Sequence, residues 1–197
     1  MWLDKARAVL RATEIPEGES GDWKIEKFTV SDHDAKFFNL RCDLNFQHHR
    51  RIEPGTYTRL WNKKALVMSD TPAEVRDQLM FTSTAQGVVL VNGLGLAVTT
   101  RLLLAKPDVT RVIVNEISQD VINLVLKYIK NDKLTVNHAN AFEWKPPKGF
   151  RFDAVWHDIW NDICADNLPD MRKLHRRYGH WADTQGSWGR DQINRRW

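Results

Sequence analysis

One stretch of the sequence, residues 87–97, constrains the fold of this chain more than any other. Residues 88–91 form an apolar, mostly β-branched run, which is typical of a strand buried on both faces. Gly93 and Gly95 follow at once, where a chain that leaves such a strand has to turn tightly. Residues 98–105 then have the apolar character of a buried helix. Strand, glycine turn and helix in this order predict the nucleotide-binding corner of a doubly wound sheet.

The chain after this corner alternates between strand-like and helix-like runs. The runs after the first helix predict strands at 110–116, 134–136, 152–158 and 180–186, and helices at 120–129 and 168–178. Strands that alternate with helices at this spacing are joined by right-handed crossovers into a parallel sheet. The predicted fold class is therefore α/β, a Rossmann-like parallel sheet of about five strands with helices on both faces.

The first third of the chain has a different pattern. A short amphipathic helix is expected near the start, followed by short strand-like runs at 24–30 and 36–42 and a hairpin over 57–68. We therefore expect an N-terminal helix and a small antiparallel β region in residues 1–68. The Rossmann-like core is expected in residues 69–197, which end after the fifth strand.

Composition narrows the class of protein further. The chain has 197 residues, 42% of them hydrophobic, and a formal net charge of +4, which permits an acidic partner without requiring one. Cys42 and Cys164 lie too far apart for a metal or redox motif, so reduced thiols in a cytoplasmic protein are the simplest interpretation. The adjacent His48 and His49 favour a solvated loop over a metal site. No run is long and apolar enough to predict a membrane span.

The carboxyl ends of the predicted strands carry side chains suited to binding a nucleotide. Because these ends meet at one edge of a parallel sheet, ligands bind there. Glu116 can accept hydrogen bonds from two ribose hydroxyls, and Asn140 can offer a donor and an acceptor to an adenine edge. With their neighbours, the predicted ligand-binding residues are Asn92, Gly93, Gly95, Glu116, Ile117, Asn140 and Ala141.

Asp158, at the end of the fourth predicted strand, is the predicted catalytic residue. Its carboxylate can hold a cationic amine or take a proton from a nucleophile. Trp160, two residues further on, can provide a flat apolar wall beside it. Taken alone, Asp158 could equally cap the next segment, Glu116 could be a solvated strand end and Asn140 could form a turn. One such residue at each strand end, in order, favours a shared site.

Two segments resemble the core of spermidine synthases and their relatives, the class I S-adenosylmethionine-dependent methyltransferases. Residues 88–97 match the strand and glycine turn of that family, and 112–122 match its next strand, which ends in an acid before a helix. The likeness continues through 152–158 and 185–188 and covers roughly residues 57–188. It resembles a short form, because the antiparallel hairpin that completes the family's sheet has no counterpart here.

The resemblance implies S-adenosyl-L-methionine as the cofactor. By position, Gly93 and Gly95 would lie beside the methionine moiety, Glu116 would bind ribose and Asn140 would face adenine. Asp158 would match the catalytic aspartate of the synthases. The chain departs from the family at the turn, where Leu96 replaces an acid and Ala97 stands in place of the third glycine of the methyltransferase motif. It also departs at Asn140, which replaces the usual aspartate, and at Asn161, which replaces a second carboxylate unless Asp162 substitutes for it.

These observations predict an S-adenosylmethionine-dependent methyltransferase that acts on an unidentified acceptor. The alternatives are a non-catalytic S-adenosylmethionine-binding protein, a spermidine synthase-like aminopropyltransferase and, further away, a nicotinamide oxidoreductase. A small-molecule acceptor is the favoured partner, and both a nucleic acid and a homo-oligomer stay open. Basic residues that could approach phosphates are clustered near the end of the chain, at 172–177, 190 and 195–196, where exposed helix charge is the simpler interpretation.

Overall fold

The computed structural model describes residues 2–12 and 14–196 of the chain. The elements of its N-terminal part are α1 (Trp2–Ala12), β1 (Gly18–Ser20), β2 (Trp23–Val30), α2 (Asp32–Leu44), β3 (Gly55–Asn62) and β4 (Ala65–Ser69). The four strands form an antiparallel sheet in the order β1-β2-β3-β4, so the predicted antiparallel β region is present. Ile25 of β2 lies opposite Leu60 of β3, and both side chains are buried.

The strand-like run predicted at 36–42 is wrong, because these residues belong to the helix α2. Ser31 caps this helix, since its side chain accepts a hydrogen bond from the backbone N–H of Asp34 at 3.1 Å. Only Ala35 and Cys42, two turns apart, are buried. The large apolar side chains between them face outward, with exposed fractions of 61%, 45% and 55% for Phe37, Phe38 and Leu40. Because these side chains do not form a stripe towards the core, the sequence carries no helical period here.

The remaining elements form the core. They are α3 (Pro72–Thr84), β5 (Gly87–Asn92), α4 (Val98–Leu104), β6 (Val109–Glu116), α5 (Gln119–Val125), β7 (Leu134–His138), β8 (Phe152–His157), α6 (Leu168–Tyr178), β9 (Ala182–Ser187) and α7 (Arg190–Arg196). The strands β5 to β9 form one sheet in the order β7-β6-β5-β8-β9, with every pair parallel. The predicted Rossmann-like α/β fold is therefore confirmed.

Helices cover both faces of the parallel sheet, as the apolar strands require. Along β5, Val89 and Val91 belong to a core cluster that includes residues of α1, α3, α4 and α5. Leu90, which points the other way, packs in a second cluster with Leu174 and Tyr178 of α6. No helix within residues 2–12 and 14–196 combines the length and the apolar character needed to cross a membrane.

The strand order reverses at β5, and this reversal creates the crevice in which a ligand can lie. The chain passes from β5 to β6 and β7 on one side of the sheet, then returns to β8 and β9 on the other. The connections that leave β5 and β8 therefore diverge at the carboxyl ends of these two strands.

Both glycines in the turn after β5 have a positive φ and leave no room for a Cβ atom. Gly93 has a φ of +103°, and a Cβ on it would overlap the backbone oxygen of Asp158. Gly95 has a φ of +49°, and its Cβ would overlap the thioether sulfur of Met68. Ala97 also adopts a left-handed conformation, with a φ of +54°. Alanine thus takes the backbone shape that a third glycine would adopt more easily.

A buried cation holds the end of this turn against the N-terminal helix. The guanidinium of Arg101 on α4 donates hydrogen bonds to the backbone oxygens of Leu96 at 3.0 Å, Ala97 at 3.3 Å and Leu10 at 3.0 Å. Burial lowers the pKa of Arg101 to about 10, so this side chain stays charged at neutral pH. The packing of α1 and the shape of the turn therefore depend on the same residue.

Candidate cofactor and active site

A cavity of about 330 Å³ lies at the carboxyl ends of β5, β6 and β8, at the point where the strand order reverses. Its volume is at the lower end of the range for small-molecule and cofactor sites. The structure brings together at this cavity seven of the eight predicted site residues, namely Gly93, Gly95, Glu116, Ile117, Asn140, Ala141 and Asp158.

The opposite wall of the cavity comes from parts of the chain that the sequence pattern did not connect with the strand ends. The N-terminal sheet and α3 contribute Trp23, Leu60, Val67, Met68, Glu74 and Gln78. The rim is completed by Phe142, Trp160, Asn161 and Trp188. Trp160 therefore lies beside Asp158 in the cavity wall, and the N-terminal sheet encloses the site.

The carboxylate of Glu116 is held in place by backbone donors on both sides. Its Oε2 accepts a hydrogen bond from the N–H of Leu94 in the glycine turn, and its Oε1 accepts one from the N–H of Ser118, both at 2.8 Å. The side chain is buried, with 7% exposed. Because each carboxylate oxygen has a second acceptor site, Glu116 can still accept hydrogen bonds from a ligand's hydroxyls.

Asn140 and Ile117 lie on the same side of the cavity as Glu116. The Oδ1 of Asn140 accepts a hydrogen bond from the backbone N–H of Phe142 at 2.9 Å, which fixes the direction of the amide. Its Nδ2 has no hydrogen-bond partner among the described residues and can donate to a ligand. Ile117 exposes 65% of its surface beside the cavity, where an apolar side chain can cover one face of a planar ring.

Asn92, the eighth predicted residue, does not line the cavity. Its side chain is fully buried beneath the turn, where Nδ2 donates to the Nδ1 of His157 and Oδ1 accepts from the Nδ2 of Asn115, both at 2.9 Å. Burial lowers the pKa of His157 to about 3, and the nearby His175 adds to this effect. His157 is therefore neutral, and Asn92 joins the buried ends of β5, β6 and β8.

Asp158 is the group in the cavity with the most unusual protonation. Burial raises its pKa to about 7, the hydrogen bond from Gln78 opposes this, and the carboxylates of Glu74 and Asp77 raise it further. Burial also raises the pKa values of Glu74 and Asp77. A carboxyl group with a pKa near neutrality can exchange a proton with a reacting group at physiological pH.

Gln78 is the contact of Asp158 that the sequence did not single out. Its Nε2 donates to the Oδ2 of Asp158 at 2.9 Å, while its Oε1 is buried and has no partner in the described part of the chain. Gln78 is 3% exposed and lies between Val75 and Phe81, three residues from each on the buried face of α3. A polar residue at helical spacing between two buried apolar residues is the sequence signal that could have revealed it.

Met68 closes the cavity against the glycine turn. The backbone N–H of Leu96 donates to the sulfur of Met68 at 3.1 Å, a weak hydrogen bond, and the same sulfur faces Gly95. Methionine is flexible and polarizable, so it can move aside more easily than a branched side chain. The sequence resemblance put a methionine moiety beside this turn; in the structure, the protein's own thioether lies there.

The comparisons with known proteins show partial similarity to solved structures. No model of a protein family matches this sequence, and no curated protein matches it. A spermidine synthase from Thermotoga maritima is 20% identical with a TM-score of 0.43, and the match covers 72% of this chain and 46% of that one. A dimethyladenosine transferase from Plasmodium falciparum is 24% identical with a TM-score of 0.40, covering 53% of this chain and 37% of that one.

An N-methyltransferase from Bradyrhizobium japonicum, solved with S-adenosyl-L-homocysteine, is also similar. It is 14% identical with a TM-score of 0.41, and the match covers 55% of this chain and 52% of that one. The chain thus spans about half, or less, of the length of each of these three proteins. By its own strand order, the chain is a Rossmann-like α/β protein with a cavity at its topological switch point.

Proposed function

We propose that this chain is an S-adenosylmethionine-dependent methyltransferase. The observation that supports this most is the single cavity at the strand ends, which combines a glycine turn, a fixed carboxylate, an amide donor and a second carboxylate with a raised pKa. The first three groups suit a nucleoside cofactor, and the fourth suits a reaction that releases a proton.

The residues at the cavity fit the chemical groups of S-adenosylmethionine. The oxygens of Glu116 can accept the ribose hydroxyls, and the free Nδ2 of Asn140 can donate to a ring nitrogen of adenine. Ile117 and Ala141 offer apolar contacts for the adenine ring. When bound, this cofactor supplies a methyl group activated by a positively charged sulfur. Met68 would have to move away from Gly95 to admit the methionine part.

In this proposal, Asp158 is the general base for the acceptor. The bound cofactor would supply its methyl group to an atom of the acceptor, which would lose a proton in exchange. Asp158 accepts the proton that the acceptor atom loses. Only the ionised carboxylate can do this, and the raised pKa means that the ionised fraction grows as pH rises through about 7. We therefore expect kcat/KM to increase between pH 6 and pH 8.

Aminopropyl transfer from the decarboxylated cofactor is the second candidate function. It is favoured by the carboxyl group of Glu74, which lines the cavity with Asp158 and raises the pKa of Asp158. Such surroundings suit a cationic amine acceptor.

Isothermal titration calorimetry with S-adenosylmethionine, its decarboxylated form and NAD tests the proposal. We expect S-adenosylmethionine to bind the wild-type chain best, and Gly95→Val to weaken binding at least roughly tenfold, because its side chain pushes Met68 into the cavity. Gly149→Val is the matched control, since Gly149 has a φ of +82° but no atom within 4 Å of its Cβ position.

Three results would count against methyl transfer. Preference for the decarboxylated cofactor would favour the aminopropyltransferase, and preference for NAD would favour an oxidoreductase. Binding of none of the three, with no thermal shift at millimolar S-adenosylmethionine or S-adenosylhomocysteine, would remove the proposed cofactor altogether.

A further inference from the structure

One face of α6 carries cations that have no ionic partner. Within the described residues, no carboxylate lies within 4.0 Å of Lys145, Arg172, Lys173 or Arg176, whereas Arg59 and Arg151 each have such a partner. Arg172 and Arg176 are four residues apart on the helix, a spacing at which like charges destabilise it slightly. These charges therefore stay available to an external anion.

Three of these cations and Arg177 line a groove that also contains aromatic rings. Lys145, Lys173, Arg176 and Arg177 surround an open groove of about 560 Å³ together with His180 and Trp181. The rings of His180 and Trp181 lie 4.1 Å apart between centroids, and Trp181 packs edge-on against the buried Tyr178. Trp181 is thus held in position beside the charges. A positive groove with a fixed aromatic side chain is the combination that binds single-stranded nucleic acids.

A second depression on the far side of Arg176 extends the positive surface. It is lined by Arg172, Arg176 and Arg190, with His175 between them. Burial and the neighbouring Arg190 lower the pKa of His175 to about 4, so His175 is neutral and the arginines provide the charge. The side chains of Arg195 and Arg196 and all of Trp197, which the sequence pattern grouped with these cations, lie outside the described residues.

The groove adjoins the candidate cofactor and active site. The Nζ of Lys173 lies 4.9 Å from the centroid of the Phe142 ring, and Phe142 is itself part of the cavity wall. Arg177 donates hydrogen bonds to the backbone oxygens of Glu143 and Trp144, which join the helix to the segment that carries Asn140. The aromatic end of the groove lies beside the amino ends of β8 and β9, so a polyanion that runs along α6 from there would reach the cavity wall at Phe142.

We propose that this face of α6 binds the sugar–phosphate backbone of a single-stranded nucleic acid and brings one of its nucleotides to the cavity as the acceptor. This inference rests on the proposed function, because it names the substrate class of the same site. A single strand is favoured over a duplex because its unstacked bases can pack on Trp181 while its phosphates contact the neighbouring cations. In this inference, a nucleotide takes the place of the small-molecule acceptor that the sequence pattern favours.

Fluorescence anisotropy with labelled 20-nucleotide single strands of RNA and of DNA, and with the matching duplex, tests this inference. The variant is Lys173→Glu/Arg176→Glu, and its control is Lys64→Glu/Lys130→Glu, which makes the same change in net charge at exposed positions away from the groove. We expect the single strands to bind more tightly than the duplex. The α6 variant should lose at least about 30-fold in affinity and about 1.4 units of the salt slope, against roughly threefold or less for the control.

Three results would overturn the inference: no binding of either single strand, preference for the duplex, or equal loss of affinity in both double variants. The last would show an effect of net charge alone. Calorimetry with S-adenosylmethionine on the same α6 variant separates this inference from the proposed function, since neither substituted residue lines the cavity. In the wild-type chain, cofactor binding without strand binding refutes the nucleic-acid acceptor only. In the α6 variant, the same combination is the expected result. Strand binding without cofactor binding refutes the methyltransferase and, with it, the acceptor role of the strand.

Discussion

Two carboxyl groups face the same cavity from neighbouring regions of the sheet, and they differ in their hydrogen-bond donors and in the charges around them. Glu116, at the end of β6, accepts two backbone N–H groups, one of them from the glycine turn. Asp158, after β8, accepts a single side-chain hydrogen bond from Gln78 and is surrounded by other carboxylates. The donors around Glu116 fix the position of its carboxylate, whereas burial and like charges around Asp158 favour a group that gains and loses a proton.

This difference suggests that one side of the cavity suits a cofactor and the other a substrate. The side that carries Glu116, Ile117 and Asn140 is preorganised by backbone contacts, as a cofactor site has to be. The side that carries Asp158 keeps a buried polar atom without a partner among the described residues, the Oε1 of Gln78. Such atoms are expected where a substrate supplies the missing donors.

The largest effect is expected from a substitution that pushes apart the ends of β5 and β8, where Gly93 contacts the backbone of Asp158. Gly93→Ala adds a Cβ that overlaps the backbone oxygen of Asp158, at a positive φ that alanine rarely adopts. We expect a loss of about 3–5 kcal/mol in the free energy of unfolding, measured by urea denaturation. Gly149→Ala has a positive φ without the overlap, so it should lose only about 1–2 kcal/mol. Equal losses would mean that the contact is unimportant.

Removing Glu116 should affect the fold as well as the ligand. From the sequence, its role was expected to be ribose binding alone. The structure adds two backbone hydrogen bonds to a buried carboxylate, so we expect Glu116→Ala to lower the free energy of unfolding by about 2–3 kcal/mol without ligand. Affinity for S-adenosylmethionine should fall as well. Unchanged stability with weaker binding would restore the purely ligand-binding interpretation.

For Asp158, in contrast, the protonated form should stabilise the fold, so the free energy of unfolding should depend on pH. Its pKa is about 7 in the folded chain against 3.8 as the ordinary value, so the folded state binds more protons between these two pH values. Stability from this group is therefore fully present below about pH 3.8 and is lost progressively as pH rises to about 7. Between pH 5 and pH 8, the wild type should lose about 2–3 kcal/mol relative to Asp158→Asn. Parallel stability curves for the two proteins would contradict the raised pKa.

The smallest effect on stability is expected for Gln78→Met. This substitution removes the side chain that, among the described residues, donates a hydrogen bond to the carboxylate of Asp158. The substitution also removes the unsatisfied Oε1, so we expect the free energy of unfolding to change by no more than about 1 kcal/mol. Because the hydrogen bond from Gln78 lowers the pKa of Asp158, its loss should move the midpoint of the kcat/KM profile to higher pH. A midpoint that stays in place would remove Gln78 from the control of this proton.

The sequence predicted the strand ends well because their signals are local. Apolar runs and a glycine turn identify β5, and parallel strands necessarily bring Glu116, Asn140 and Asp158 to one edge of the sheet. The helix α2 was missed because its large apolar side chains are exposed. The cavity wall from the N-terminal sheet and the contact of Gln78 with Asp158 could not be predicted, because residues 80 positions apart meet only through tertiary packing.

The most direct measurement of the central claim is a crystal structure of the chain with S-adenosylhomocysteine. The account predicts the ligand in the cavity at the strand ends, with both ribose hydroxyls within hydrogen-bond distance of Glu116 and the adenine beside Asn140. It also predicts that Met68 has moved from Gly95 and that the sulfur of the ligand faces Asp158. A ligand bound elsewhere, or in the cavity with its ribose away from Glu116, would contradict the assignment of the two sides.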